Sequence, residues 1–379
     1  MRFTAITLTE DELDQRDAVR AFLADELAAG GYQPGLGVNS GHSPEFSRKL
    51  AARGWLGMSI PPEYGGHGRG PVERFIVVEE LLAAGAPVLA HWVADRQTAP
   101  ALLAYGTPEQ RRRFLPAIAA GECFFSVGMS EPDAGSDLAS VRTRGTQVDG
   151  GWLLSGTKIW TSGAHVNDFA VMLCRTSPLG EDRHAGLSQL IVDLRGQGVT
   201  INPITFLDGS HHFNEVVFDD AFVPDELVLG QIGDGWRQVT SELSYERAGP
   251  DRYLTTWQLL EAYAAERGAA AATQAEQIGR LAARCWSIRQ LSLSVARIIS
   301  EGGAPAVEAA LVKDLGTVFE QEVVAVLQAL VDDDPDPGSS SLFERLLARA
   351  LVVSPSFTIR GGTTEVLRSV AARSLRSLR

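Results

Sequence analysis

The spacing of apolar side chains changes character twice along the chain. Up to about residue 121 apolar positions recur at helical intervals, with Leu13, Val19, Phe22, Leu23 and Leu27 forming one stripe. Thr9, with Glu12 three residues on, predicts a capping box at the start of that stripe, and Gly30-Gly31 its end. Ser43-Pro44 opens a second helix that Gly54 stops, and Thr107, Pro108 and Gln110 give another start of the same kind. Between them, IPPEYGG (60–66) reads as a turn or loop.

From about residue 122 the pattern becomes that of strands. ECFFSVGM, WLLSGTKIWT, DFAVMLCRT, LSQLIVDL and NEVVFDDAFV are short apolar or alternating runs. Asp149-Gly150 and Ser155-Gly156 between them suit hairpins, so a small antiparallel β domain ending near Gly230 is expected. After Gly235 long helices rich in Ala, Leu and Arg return, broken by a solvated loop at DDDPDPGSSS (332–341). The last of them places Val366, Leu367, Val370, Ala371 and Leu375 on one face. The expected architecture is α+β and mostly α. Its parts are a helical domain (1–121), a middle β domain (122–232) and a C-terminal helical bundle (233–379).

Composition narrows the function classes. A 379-residue chain with 45% apolar and 21% charged residues can bury several cores, as ordinary globular proteins do. It lacks the roughly 18-residue apolar run that a membrane span needs, and its first thirty residues are acidic and amphipathic. A cytoplasmic protein without a membrane span is expected. The formal charge of −13 argues against a nucleic-acid partner, although a few backbone N–H groups can still hold a phosphate. Cys123, Cys174 and Cys285 lie far apart without metal-ligand spacing, and no metal site is expected. Only Lys49, Lys158 and Lys313 are lysines among 34 basic residues, a bias that reads as genomic composition.

The common nucleotide motifs are missing. GLGVNSG (35–41) has one residue too many for a dinucleotide fingerprint and no strand leads into it. His211-His212 reads as a surface or packing pair. The informative segment is GMSEPDAGSD (128–137) at a strand end, where small residues permit close backbone approach and Ser130 and Ser136 offer hydroxyls. TKIWTSGA (157–164) follows at another strand end, and a Trp beside two hydroxyl residues suits an aromatic ring that must stack and accept hydrogen bonds.

Together, MSEPDAGSDLASVRTR and GTKIWTSGA resemble the acyl-CoA dehydrogenase family. The likeness extends to GWLGMSIPPEYGGHG (54–68), SELSYER (241–247) and IRGGTTEVLRSVAARSL (359–375), in family order over nearly the whole chain. The resemblance implies an FAD-dependent desaturation of an acyl-CoA thioester, in which a base takes the α-proton and a hydride passes to flavin N5. It implies FAD contacts at Met129, Ser130, Gly135 and Ser136, at Trp160, Thr161 and Ser162, and at Thr363 and Glu365. Many members carry the base in a YEGT sequence near the C-terminus. Here Arg360-Gly361-Gly362-Thr363 leaves Gly361 in that place, and its N–H would face the thioester oxygen by family analogy. Other members carry the base on a helix just before an Arg, which Glu246-Arg247 matches. An electron-transfer flavoprotein is the implied acceptor.

One family feature is lost. Homotetrameric members complete each FAD site with a neighbour's R-x-x-F-G sequence and glycine-rich turn. Here AAERGAAAATQAEQIGRL (264–281) lacks the Phe-Gly, and LVDDDPDPGSSS stands where the turn should be. Three aspartates repel a pyrophosphate. A sister subunit in a heterotetramer is therefore implied, or else a homo-oligomer rewired through residues such as Arg267. Two other readings stay open: a catalytically silent subunit of a mixed oligomer, and a flavin monooxygenase on the same fold.

Overall fold

A computed structural model describes the backbone of residues 3–376, and the side chains within it except at 242–246, 269–273 and 375–376. Among the described residues, six helices come first: α1 (Glu10–Ala28), α2 (Pro44–Ala51), α3 (Pro71–Ala83), α4 (Leu89–Val93), α5 (Ala99–Tyr105) and α6 (Pro108–Ala119). Strands follow: β1 (Phe125–Gly128), β2 (Arg144–Val148), β3 (Gly151–Ser162), β4 (Phe169–Arg175), β5 (Leu187–Asp193), β6 (Val199–Thr205), β7 (His211–Pro224) and β8 (Val228–Leu229). Helices α7 (Gly235–Glu246), α8 (Trp257–Thr273), α9 (Ala275–Ser300), α10 (Ala306–Ala329), α11 (Leu342–Val353) and α12 (Thr364–Arg376) close the chain.

The helix starts follow their capping chemistry. Thr9 accepts from the Glu12 N–H and Glu12 answers from the Thr9 N–H, while Thr107 and Gln110 do the same at α6. Ser43 caps α2 with Pro44 in the first turn. Gly30, at φ +72, ends α1 in the left-handed conformation that costs glycine least.

Contacts divide the chain into two compact units: Met1–His42, Gly70–Val88 and Ser244–Arg379 in one, Ser43–Arg69 and Leu89–Leu243 in the other. In the first, the α1 stripe of Val19, Phe22 and Leu23 is buried, and Val72, Phe75 and Ile76 of α3 pack on Leu293 and Ala296 of α9. Burying each large side chain of this kind contributes roughly 1.5–3 kcal/mol. Glu79 is buried among them, held by both arms of Arg289 at 2.7 Å and by the Tyr253 hydroxyl at 3.1 Å.

The second unit is built on one sheet with strand order β6-β7-β3-β2-β4-β5-β8. Phe114 of α6 meets Phe125 and Phe169 at ring distances of 5.4 and 5.2 Å. Gln110 does double duty: beyond its capping bond, its amide donates at 2.8 Å to the carbonyls of Glu226 and Val228 beside β8.

Three details differ from the pattern read in sequence. β1 pairs with β4 in parallel, because the β2–β3 hairpin intervenes before the chain returns beside β1. β2 and β6 are strands although more than half of their residues face solvent and they supply no apolar run. Asp149-Gly150 does turn the β2–β3 hairpin, whereas Ser155-Gly156 lies inside β3 at a break in its register with β7. A side chain on Gly156 would meet Thr143 at 2.7 Å, and Ser155 bonds Asp220 across the sheet, so both residues serve a bulge.

No described helix is long and apolar enough to cross a membrane. No described group of three or more His, Cys, Asp or Glu is placed to hold a metal ion. All three cysteines are buried free thiols.

Candidate active site

Trp160 sits in a conformation that a tryptophan adopts only under constraint. Its φ is +62 and the residue is 52% exposed near the end of β3. The cause is a bulge: Lys158 faces Val216 and Thr161 faces Asn214, so three steps on β3 oppose two on β7. A left-handed non-glycine residue costs on the order of 1–3 kcal/mol and persists only where its surroundings over-determine it. They do so here. Asn214 is fully buried and donates to the Thr161 carbonyl at 2.9 Å, and Ser126 donates to the Ser162 carbonyl at 2.7 Å. Gly163 N–H bonds the His212 carbonyl at 2.8 Å. The Phe213 ring braces Trp160 edge-on at 5.7 Å.

The two motifs singled out in sequence are joined directly. Ile159 N–H bonds the Ser130 carbonyl at 3.0 Å, one residue before Trp160. Lys158 is fully buried, and its ammonium donates at 2.9 Å to both the Met129 carbonyl and the Glu131 carboxylate. Glu131 also accepts from the N–H groups of Arg142 at 2.6 Å and Thr143 at 2.8 Å. Burial pushes the Glu131 carboxyl up, but the Lys158 ammonium and these donors more than offset it and hold it below its ordinary value.

Other members of the two motifs separate by exposure. Ser130 and Ser162 are half-buried, while Gly135 and Ser136 are exposed on the turn that follows. A side chain added at Gly135 would meet nothing within 4 Å. Gly128 and Ala134 are small for a different reason: they are buried, and a side chain on Gly128 would strike the Met172 sulfur at 2.1 Å. The Thr161 side chain is fully buried and its hydroxyl has no hydrogen-bond partner, so it points into the protein while its neighbours point out. Asp137, next to Ser136, is balanced by the Arg183 guanidinium at 2.6 Å. His212 packs on Phe206 and Phe213, and burial pushes its pKa down to about 4, in keeping with a packing role.

The remaining candidates lie in the other unit. Gly361 and Gly362 have φ of +66 and +94 and form a turn before α12. A side chain on Gly361 would lie 3.0 Å from the guanidinium of Arg252, which is itself buried against Asp251 at 3.0 Å. Thr363 caps α12, its hydroxyl accepting from Val366 N–H at 3.4 Å. Glu365, exposed in the first turn, is held below its ordinary pKa by its own backbone N–H and then by the Thr363 hydroxyl. Glu246 ends α7, and its side chain lies outside the described residues.

A helical, β and helical order with a braced, outward-facing tryptophan at strand ends defines the class, and comparison with known proteins gives the family. The models for the acyl-CoA dehydrogenase N-terminal, middle and C-terminal domains match residues 9–122, 126–221 and 233–376. The chain belongs to the acyl-CoA dehydrogenase family of oxidoreductases. It is 34% identical over 351 residues to acyl-CoA dehydrogenase FadE29 of Mycobacterium tuberculosis, covering 88% of each chain. It is 35% identical over 343 residues to FadE34 of the same organism, a match spanning 88% of this chain and 46% of FadE34, less than half its length. Among solved structures it resembles the Tcur3481-Tcur3483 steroid ACAD (TM-score 0.81, 27% identity, 97% of each chain). It also resembles the ChsE4-ChsE5 complex from Mycobacterium tuberculosis (TM-score 0.80, 28% identity, 98% of this chain and 97% of that one).

Proposed function

We propose that the chain binds FAD and an acyl-CoA thioester and removes hydrogen across the α,β bond. The observation that carries this reading is Trp160: a half-exposed ring held at a strained backbone position, bordered by Ser162 and hydrogen-bonded through Ile159 to the Ser130 loop. A planar ring system would cover the indole and accept bonds from hydroxyls around it. The open space at Gly135, beside exposed Ser136, suits the phosphates of such a ligand. Met129, Ser130, Gly135, Ser136, Trp160 and Ser162 would hold FAD, with Thr161 contributing backbone, and with Thr363 and Glu365 from the start of α12. When bound, FAD supplies the hydride acceptor.

In this reading Glu246 holds the α-proton it removes. A thioester α-proton is weakly acidic, so its base works best adjacent to it and partly desolvated. Gly361 would offer its N–H to the thioester oxygen, where negative charge grows as the proton leaves. The base on a helix, and the likeness to a steroid ACAD, favour a long, branched or ring-bearing acyl chain such as a sterol side chain. An electron-transfer flavoprotein would take the electrons onward.

Anaerobic bleaching of the flavin by a panel of acyl-CoA thioesters, without added reductant, tests the reaction and ranks the chains. Glu246→Gln should keep the yellow colour and lose most of the bleaching. A variant rate within about twofold of wild type would place the base elsewhere.

Assembly follows from the lost half-site. Asp332, Asp333 and Asp334 are exposed in the loop that stands where a glycine-rich turn is expected. Arg267 is engaged within its own chain, stacked on Phe343 at 5.5 Å and 3.8 Å from Glu344, which disfavours its service to a neighbour's FAD. A heterotetramer of two such chains and two sister chains, binding two FAD, accommodates both facts. A stable self-assembly carrying one FAD per chain, by solution mass and flavin quantitation, would remove the need for the sister.

A further inference from the structure

Helix α10 carries one polar stripe that is buried. Lys313, Thr317 and Glu320 have no exposed surface, and Gly316 lies between them. Spacings of three, four and seven residues put them on one face. A side chain on Gly316 would strike the Arg252 carbonyl at 2.3 Å, so that face presses closely on the 250–255 segment. The stripe also grips the glycine turn. The Lys313 ammonium donates to the Gly362 carbonyl at 2.7 Å and the Thr358 carbonyl at 3.1 Å, the two ends of the turn that contains Gly361. Glu320 accepts from Arg360 of the same turn at 2.7 Å and from Thr255 N–H at 2.8 Å. Arg360 also reaches the Thr255 hydroxyl at 2.7 Å.

Lysine at this place has a chemical reason. A compact ammonium can point several donors at converging carbonyls, whereas a guanidinium is a planar fork. In a chain with three lysines among 34 basic residues, the two with no exposed surface both donate to backbone carbonyls of the candidate site: Lys158 to Met129, Lys313 to Thr358 and Gly362.

We infer that Lys313 is a positioning residue for the proposed reaction: it fixes both ends of the 358–362 turn and thereby aims the Gly361 N–H. The inference rests on the thioester reading given above. It assigns Lys313 no contact with substrate, so substrate affinity is spared while the chemical step suffers.

The test uses the full chain in its flavin-bearing assembly, as wild type, Lys313→Met and the milder Lys313→Gln, which retains one amide donor. Hydrogen exchange is followed over peptides covering 358–362 and β3, and anaerobic flavin bleaching is followed against acyl-CoA concentration. Lys313→Met should exchange about tenfold or more faster at 358–362 with β3 unchanged. Its limiting bleaching rate should fall about 10- to 100-fold, with the half-saturating concentration and flavin content within about twofold of wild type. Lys313→Gln should fall between, which keeps the test alive if Lys313→Met does not fold. Unchanged exchange at 358–362, or an unchanged limiting rate, overturns the inference. A wild-type protein that no acyl-CoA bleaches instead sinks the thioester reading, and the exchange data still report whether Lys313 holds the turn.

Discussion

Replacing Lys158 by Met would leave the Glu131 carboxylate buried beneath the Met129–Ser136 loop without its counter-ion. The pair is enclosed, Lys158 having no exposed surface and Glu131 8%, so solvent screens it little. Removing one partner of such a pair typically costs about 3–5 kcal/mol, because the remaining charge must stay desolvated. The two N–H donors from Arg142 and Thr143 remain, which places the expected loss toward the lower end of that range. In the double variant Lys158→Met/Glu131→Gln no charge is stranded, and its loss should fall short of the summed single losses by about 2 kcal/mol. Denaturant unfolding of the four proteins at pH 7 measures the cycle. Acid supplies an independent check. Glu131's folded pKa is lowered, so its contribution is present above the ordinary carboxylate value of 4.5 and lost as pH falls through the folded value. Without the ammonium the folded pKa moves upward, so the Lys158→Met deficit should narrow on acidification. A deficit below about 1 kcal/mol, or an additive cycle, would refute the argument.

Gly361→Ala places a side chain at φ +66 and 3.0 Å from the Arg252 guanidinium, and should cost about 1–2 kcal/mol in unfolding experiments while slowing flavin bleaching. Trp160→Ala removes the exposed ring from its bulge, and should weaken flavin retention or shift the flavin spectrum; unchanged occupancy and spectrum would discard this half of the site. Burial, followed by Arg252 and Arg360, lowers the Lys313 pKa from 10.5 to about 8. Between those values the unfolded chain binds the extra proton, so wild-type stability relative to Lys313→Met should rise with pH, by about 3 kcal/mol over the full window.

Much of the frame was legible because it depends on local chemistry. Thr9 with Glu12 and Thr107 with Gln110 name their helix starts, and the hydroxyls and Trp of the two motifs mark the surface where a ligand would lie. The rest depends on partners distant in sequence. Nothing near Trp160 announces a positive φ, because the slip in register arises between β3 and β7 and is locked by Asn214, more than fifty residues away. Nothing in the sequence singles out Lys158, Glu131 or Asn214, since burial of a polar group is invisible without the packing around it. Lys313, Thr317 and Glu320 share a helical spacing, but Glu308, Asp314, Gln321, Glu322 and Gln328 on the same helix hide the stripe in sequence. β2 and β6 carry no strand signal, because strands exposed along much of their length supply no continuous apolar run.

The scarcity of exposed lysine has a practical consequence. An amine-acylating reagent meets Lys49, whose side chain is 36% exposed beside Glu45, while Lys158 and Lys313 are sealed. Those two lie in different compact units. Each therefore acts as a separate clock: the rate at which mass spectrometry finds Lys158 acylated reports how often the sheet unit opens, and Lys313 reports the same for the helical unit. Labelling carried out with and without bound cofactor would show which half of the chain the ligand steadies, with no substitution made.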